Sequence, residues 1–192
     1  MDQRTTHSDT QSSKAKTLWI VGAMVFVLGL LVLLGLELFS REDKSIGLNQ
    51  KPEDFTLHTY TGETIDTAAL RGKTVLINFW SSWCTTCDEE AVLLEEAWSA
   101  LLEEGEVVFL GVAYMDTESE SLDFLETYGV TYPNGPDLRG EISNRYQVSS
   151  VPETFVLDAE GVLRVLKIGP FTSADEIFRA IEGAALKEDG DG

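Results

Sequence analysis

The chain has 192 residues, a formal net charge of −19 at pH 7, and only two cysteines and two histidines. So acidic a surface repels nucleic acids and anionic lipids, which excludes functions that depend on binding them through surface charge. It tolerates basic protein partners, although it also fits a surface that is acidic only for solubility.

A transmembrane anchor is predicted for residues 18–39, after a Thr-, Ser- and Gln-rich segment, residues 1–17, that is typical of a disordered tail. Residues 18–36 carry no charge, and a helix of that length nearly crosses the roughly 30 Å hydrocarbon core of a membrane. A cleaved secretory signal is the alternative. Its apolar region would be shorter, and a small-residue cleavage site would follow it. Because Glu37 to Arg41 follow instead, we favour an uncleaved anchor.

The flanking charges predict the orientation of this anchor. Arg4, Lys14 and Lys16 precede the apolar segment, whereas Arg41 and Lys44 follow it among acidic residues. Cytoplasmic flanks carry the excess of Lys and Arg, so we expect a cytoplasmic N-terminus and the rest of the chain outside the cytoplasm. From Arg41 onward, 11 Lys and Arg stand against 30 Asp and Glu.

The outer part is predicted to be a linker, residues 40–50, one compact domain, residues 51–186, and a frayed tail, residues 187–192. Apolar runs and turn signals predict strands over 55–60, 63–65, 74–80, 107–114, 153–157 and 162–168. Helical spacing and capping residues predict helices over 66–70, 88–102, 121–128, 141–146 and 173–186. Strands that alternate with helices and then form a hairpin indicate a three-layer α/β/α sandwich with a mixed sheet.

The only two cysteines, Cys84 and Cys87, lie between the apolar strand 74–80 and the helix that begins near Asp88. A cysteine at such a corner meets the positive end of the helix dipole, which favours the thiolate over the thiol. A second cysteine three residues later can form a disulfide with it, which is the arrangement of a thiol–disulfide exchange site. Two other interpretations are weaker. A structural disulfide across so short a loop stabilises little, and a closed zinc site needs about four ligands, where the chain offers only His7 and His58 besides the cysteines.

Several segments besides the two cysteines form a recognisable set. They are Asn78-Phe79-Trp80 followed by Trp83-Cys84-Thr85-Thr86-Cys87, then Glu90, Tyr128-Gly129-Val130, Val151-Pro152-Glu153-Thr154-Phe155, and Asp158 with Gly161. With these segments, the chain resembles the thioredoxin superfamily over about residues 50–186, and within it the membrane-anchored TlpA/ResA/CcmG (DsbE) group of thiol–disulfide oxidoreductases.

The resemblance implies that Cys84 is the attacking thiolate and that Cys87 resolves the mixed disulfide. It also implies that Pro152 is a cis-proline facing them, with Val151 offering its backbone to an extended substrate; a trans turn proline is the alternative. Trp83 is expected at the substrate-facing rim and Trp80 in the core.

Glu90 is implied to tune the pKa values of the cysteines and to move protons. A partly buried carboxylate there would raise the pKa of the thiol and have its own pKa raised. The alternative is an exposed first-turn acid that stabilises the helix dipole, the role expected of Asp88 and Glu89. The chain departs from many relatives in having Thr85-Thr86 between its cysteines and Ala91-Val92 after Glu90, where those relatives have prolines.

The activity implied is reduction of protein disulfides outside the cytoplasm, with no cofactor or metal beyond the two cysteines. The favoured substrate is the haem-binding disulfide of apocytochrome c, and the implied electron donor is a membrane protein of the CcdA/DsbD type. The alternatives are a general disulfide reductase, a reductant for copper-site assembly, a peroxidase, and a non-catalytic tether that binds apocytochrome or metal. A peroxidase is less favoured, because such sites do not need a second cysteine at this spacing and no basic residue is near Cys84 in sequence.

Overall fold

The computed structural model of the chain describes residues 19–33, 46–103 and 105–186. The chain divides into two units, Met1–Lys44 and Ser45–Gly192. In the first, residues 19–33 form helix α1, whose residues are all exposed. Several predicted segments lie wholly or partly outside the described residues. They are the N-terminal tail (residues 1–17), the rest of the predicted anchor (residues 18 and 34–39), the first part of the linker (residues 40–45) and the frayed tail (residues 187–192).

Among the helices that the structure describes, none combines the length and the apolar character needed to cross a membrane.

Over residues 46–103 and 105–186, the second unit contains a two-stranded sheet, a five-stranded sheet and four further α-helices. Its strands are β1 (Thr56–His58), β2 (Thr64–Asp66), β3 (Thr74–Trp80), β4 (Val107–Tyr114), β5 (Asn134–Asp137), β6 (Glu153–Leu157) and β7 (Leu163–Ile168). Its helices are α2 (Cys87–Leu101), α3 (Glu118–Tyr128), α4 (Glu141–Tyr146) and α5 (Ala174–Ala185), with a 3-10 turn at Thr67–Leu70.

The large sheet is mixed and has the strand order β5-β4-β3-β6-β7. Strand β3 is parallel to β4, which is parallel to β5, whereas β6 is antiparallel to both β3 and β7. The predicted α/β organisation with a mixed sheet is therefore confirmed.

Strand β3 is buried along its whole length because both faces of the sheet are covered. Leu76 packs with Leu94 of α2 and Ile177 of α5 on one face. Val75, Ile77 and Phe79 point to the other face, where residues of β1 and α4 cover them. Because successive side chains of a strand point to opposite faces, β3 contributes to one hydrophobic core on each face of the sheet.

Two element predictions are wrong. Helix α3 begins at Glu118, three residues before the predicted start, because the Thr117 side chain accepts a hydrogen bond from the Glu120 backbone N–H and caps the helix earlier.

Strand β5 was not predicted, because its sequence Asn-Gly-Pro-Asp is typical of a turn. As an edge strand it tolerates Pro136, which has no backbone N–H to donate.

Candidate active site

The two cysteines lie where β3 ends and α2 begins, and a disulfide joins Cys84 to Cys87. Helix α2 starts at Cys87, and its N-cap residue, Thr86, makes no capping hydrogen bond with its side chain. The Glu89 backbone N–H donates to Asp88 Oδ1 at 2.9 Å, but the N-cap residue leaves the start of the helix without a cap of its own. The positive end of the helix dipole therefore favours negative charge at the sulfurs. Cys84 is 8% exposed and Cys87 is 2% exposed, so Cys84 is the sulfur that a substrate can reach more easily.

The Val151–Pro152 peptide bond is cis, as the resemblance implied. The carbonyl oxygen of Val151 lies 3.5 Å from Cys84 Sγ, and the Thr86 hydroxyl lies 3.6 Å from the same sulfur. Pro152 is buried and Val151 is partly buried. The backbone before the proline is thus next to the sulfur, where an extended substrate segment could pair with it.

The two tryptophans around the cysteines differ in exposure. Trp83 is 58% exposed, and its ring centroid lies 6.5 Å from that of Tyr114. Trp80 is 3% exposed, stacks on Phe124, and donates a hydrogen bond from Nε1 to Asn134 Oδ1 at 2.8 Å. Trp83 is therefore placed where it can contact a substrate, and Trp80 belongs to the core beneath the cysteines.

Glu90 is a buried carboxyl group, only 1% exposed, on the first turn of α2. Its Oε1 accepts a hydrogen bond from the Phe171 backbone N–H at 2.9 Å, and its Oε2 accepts one from Asn78 Nδ2 at 3.0 Å. Burial raises its pKa to about 7, although these two hydrogen bonds and the charge of Lys167 act in the opposite direction. The placement matches the buried interpretation of Glu90 rather than the exposed one.

Three polar residues near the cysteines were not predicted to belong to the site. The first, Asn78, was quoted only as part of the family motif. Its side chain connects Glu90 to Thr154 Oγ1, to which it donates at 2.9 Å. An amide inside a largely apolar, buried strand is the feature of the sequence that could have indicated a role for Asn78 in the site.

The second is Asp116, which is 2% exposed and holds the loop before Cys84. Its Oδ2 accepts from the Ser82 backbone N–H at 2.6 Å, and its Oδ1 accepts from the Ser82 hydroxyl at 2.9 Å. The Ser81 hydroxyl also donates to the Tyr114 carbonyl oxygen. The end of β4 thus fixes the position of the residues that carry Trp83 and Cys84.

The third is Glu153, which is 3% exposed and directly follows Pro152. Its Oε1 lies 3.0 to 3.2 Å from the backbone nitrogens and the hydroxyl oxygens of Ser149 and Ser150, all of which are positioned to donate to it. This carboxylate organises the loop that carries the cis-proline. These contacts are local, between residues three and four positions apart, but an acid at the start of a strand has no distinctive pattern that would single it out.

Within the described residues, no group of three or more His, Cys, Asp or Glu side chains is arranged to hold a metal ion. The redox group that the structure does contain is the disulfide between Cys84 and Cys87.

Comparison with known proteins places this site in a family. Residues 48–166 match the AhpC/TSA family. The thiol:disulfide interchange protein DsbE of Allochromatium vinosum is 30% identical over 174 residues, which cover 86% of this chain and 93% of that protein. The thiol-disulfide oxidoreductase ResA of Geobacillus thermodenitrificans is 28% identical over 159 residues, covering 81% of this chain and 91% of the relative.

A solved structure shows the same fold at lower identity. It is a thiol:disulfide interchange protein of the thioredoxin family from Chlorobium tepidum, with a TM-score of 0.65 and 22% identity. The match covers 72% of this chain and 97% of that one. The fold around the cysteines is therefore thioredoxin-like.

Proposed function

The chain belongs to the AhpC/TSA family and is a thiol–disulfide oxidoreductase with a thioredoxin-like fold, and on this premise we propose that it reduces protein disulfides from a membrane anchor outside the cytoplasm. The single observation that carries the proposed chemistry is the placement of Cys84. Its sulfur lies just before α2 and 3.5 Å from the Val151 carbonyl oxygen. The more buried Cys87 forms the disulfide with it.

The proposed reaction begins with the dithiol form. The Cys84 thiolate attacks one sulfur of the substrate disulfide, forms a mixed disulfide and releases the other substrate sulfur as a thiolate, which takes up a proton. The Cys87 thiolate then attacks Cys84 Sγ, which forms the Cys84–Cys87 disulfide and releases the second substrate thiol. Two electrons pass from the enzyme to the substrate, and an external dithiol must restore the enzyme.

Glu90 is proposed to serve the second step. Cys87 is almost fully buried and must lose its proton before it can attack. Glu90 follows it by three residues on the same helix, so one turn separates the two groups. With a pKa raised to about 7 by burial, its carboxyl group is able both to accept and to release a proton near neutral pH.

The experiment that tests this chemistry is trapping with Cys87→Ser. Without the resolving thiol, Cys84 should remain attached to its substrate, so mixed disulfides should accumulate when the reduced variant meets a disulfide-containing protein. Non-reducing gel electrophoresis measures them. Cys84→Ser is the matched control and should form few adducts, because the remaining thiol is buried. Equal adducts from both variants would contradict the assignment of the attacking sulfur, and adducts from neither would contradict the reductase.

The proposed client is the disulfide of an apocytochrome c haem-binding motif, and the proposed donor is a membrane protein of the CcdA/DsbD type. Support comes from the similarity to proteins named ResA and DsbE and from the group that the sequence resembles. A client-specific reductase should reduce a disulfide-bonded Cys-x-x-Cys-His peptide faster than it reduces insulin. Equal rates would favour a general reductase instead.

The anchor is proposed for residues 18–39. In support of it, helix α1 exposes large apolar side chains such as Trp19, Phe26 and Leu31, which water does not favour. Full-length chain should stay with membranes after alkaline carbonate extraction, whereas a fragment that begins at Ser45 should be released. Extraction of both would contradict the anchor.

A further inference from the structure

The side chain of Asn78 is the centre of a buried polar network that joins three elements. It is 2% exposed and lies in the middle of β3. Its amide nitrogen donates to Glu90 of α2 at 3.0 Å and to Thr154 Oγ1 of β6 at 2.9 Å. Both amide hydrogens are thus used, and two partners on separate elements fix the plane of the amide group.

We infer that Asn78 is a positioning residue for Glu90: it fixes the orientation of the Glu90 carboxyl group and stabilises its ionised form. This inference rests on the proposed role of Glu90 in the exchange reaction. Asn78 would act only through the acid, since its polar contacts are with Glu90 and Thr154 and not with a sulfur.

The hydrogen-bond pattern around Glu90 supports this inference. Both carboxyl oxygens are acceptors, one from the Phe171 backbone N–H and one from Asn78. Donors to both oxygens favour the carboxylate over the neutral acid. Only one of these donors is a side chain, so Asn78 is the part of this arrangement that a substitution can remove.

The other charged and titratable groups that act on Glu90 lie on different elements. Lys167 of β7 lowers its pKa and Glu176 of α5 raises it, and these two side chains pair with each other at 2.5 Å. Burial raises the pKa of the Tyr132 phenol, and the charge of Glu90 raises it further. Since Lys167 is paired with an acid, its charge is partly offset, and the hydrogen bonds are the main influence that opposes the effect of burial.

The test measures the titration of Glu90 directly. In the oxidised full-length protein, where neither cysteine titrates, carbon-13 NMR of labelled glutamate carboxyl groups gives the midpoint of Glu90, whose signal is absent from Glu90→Gln. Asn78→Leu keeps the branched shape of the side chain, with a somewhat larger volume, and removes its donors. We expect the Glu90 midpoint to rise by about one pH unit, because hydrogen bonds to ionised groups are among the stronger ones.

Thr154→Val is the matched control, because it removes the other partner of Asn78 and leaves the bond to Glu90. The Glu90 midpoint should move much less in Thr154→Val than in Asn78→Leu. An unchanged midpoint in Asn78→Leu, or an equal shift in Thr154→Val, would overturn the inference. If Asn78→Leu does not fold, Asn78→Asp keeps the shape and places two carboxyl groups in contact. The Glu90 titration should then split into two coupled steps, and a single unshifted step would overturn the inference.

A double-mutant cycle separates positioning from a merely structural role. In the reduced protein, the pH profile of alkylation by iodoacetamide reports the thiolates. Asn78→Leu should move this profile in the wild-type background and leave it unchanged in Glu90→Gln. An equal shift in both backgrounds would overturn the inference. Absence of reductase activity in the wild-type protein would contradict the proposed function instead. It would leave this inference testable, because the NMR midpoint does not depend on turnover.

Discussion

At the scale of single residues, the buried carboxyl group of Glu90 links stability to pH. In the unfolded chain its pKa is near the ordinary 4.5, whereas burial raises its pKa in the folded chain to about 7. The folded state therefore binds the Glu90 proton more tightly than the unfolded state between these values. Stability from this group is fully present below about pH 4.5 and is lost as the pH rises through about 7.

The free energy of unfolding should show this loss when wild type and Glu90→Gln are compared by urea denaturation across pH. A shift of this size corresponds to about 3 kcal/mol. Relative to the wild type, Glu90→Gln should therefore gain about 3 kcal/mol of stability between pH 4 and pH 8. Other acids contribute equally to both proteins and cancel in the difference.

Glu89→Gln is the matched control for this measurement, since it removes an exposed acid from the same helical turn. Its stability relative to the wild type should change little with pH. If the difference in free energy of unfolding between wild type and Glu90→Gln stays constant from pH 4 to pH 8, folding does not raise the pKa of Glu90.

The sequence predicts some residues of the site and not others, for a physical reason. Cys84 and Cys87 are found from the sequence because their spacing and the neighbouring elements are local information, whereas the role of Pro152 follows only from the family resemblance. Three acids occupy the first turn of α2, and helical spacing alone does not tell which of them the sheet and α5 bury. Asp116 owes its role to a loop 34 residues away, which no local pattern encodes.

At the scale of elements, the edge of the sheet supports the core beneath the cysteines. Gly111 of β4 is paired with Asn134 of β5. A Cβ atom on Gly111 would lie 1.6 Å from Asn134 Oδ1, so the glycine leaves the space that the amide occupies. From there Asn134 accepts the Trp80 indole N–H and donates to the Tyr132 carbonyl oxygen.

A double-mutant cycle should reveal this close packing. Gly111→Ala should destabilise the wild type by about 3 kcal/mol, at the upper end of what overpacking of a tight core costs. In an Asn134→Ala background the same change should cost far less, because the amide that it would meet is gone. Asn134→Ala alone should cost about 1–3 kcal/mol, since it leaves the buried Trp80 N–H without its partner. Additive effects in denaturant titrations would contradict the packing described.

Element prediction succeeded where burial and periodicity agree and failed where they conflict. Strands β3, β4 and β6 were predicted within their bounds because β3 and β4 are largely apolar and β6 ends in the apolar run 155–157. Strand β5 has Gly135 and Pro136 at its centre. Its position depends on pairing with β4 and on the close approach of Gly135 to the His58 carbonyl oxygen, which a side chain would block. Those are tertiary constraints that local propensity does not contain.

At the scale of the whole molecule, two features bear on function: the negative net charge of the chain and the redox-active pair of cysteines. Three ion pairs found among the described residues join basic side chains to acids: Arg71 with Asp54, Arg164 with Asp158, and Lys167 with Glu176. With a net charge of −19, the surface disfavours nucleic acids. The cysteine pair supplies the redox chemistry, and its preferred direction depends on the relative stability of disulfide and dithiol.

The reduction potential of the Cys84–Cys87 pair tests the proposed reductase most directly. It can be measured in a fragment that begins at Ser45, where the compact second unit starts, by equilibration in glutathione or dithiothreitol buffers with the tryptophan fluorescence as the readout. A reductase should have a value near or below that of thioredoxin, about −270 mV. A value that approaches that of the oxidant DsbA, about −120 mV, would contradict the proposed reductase. The protein would then be an oxidant or an isomerase.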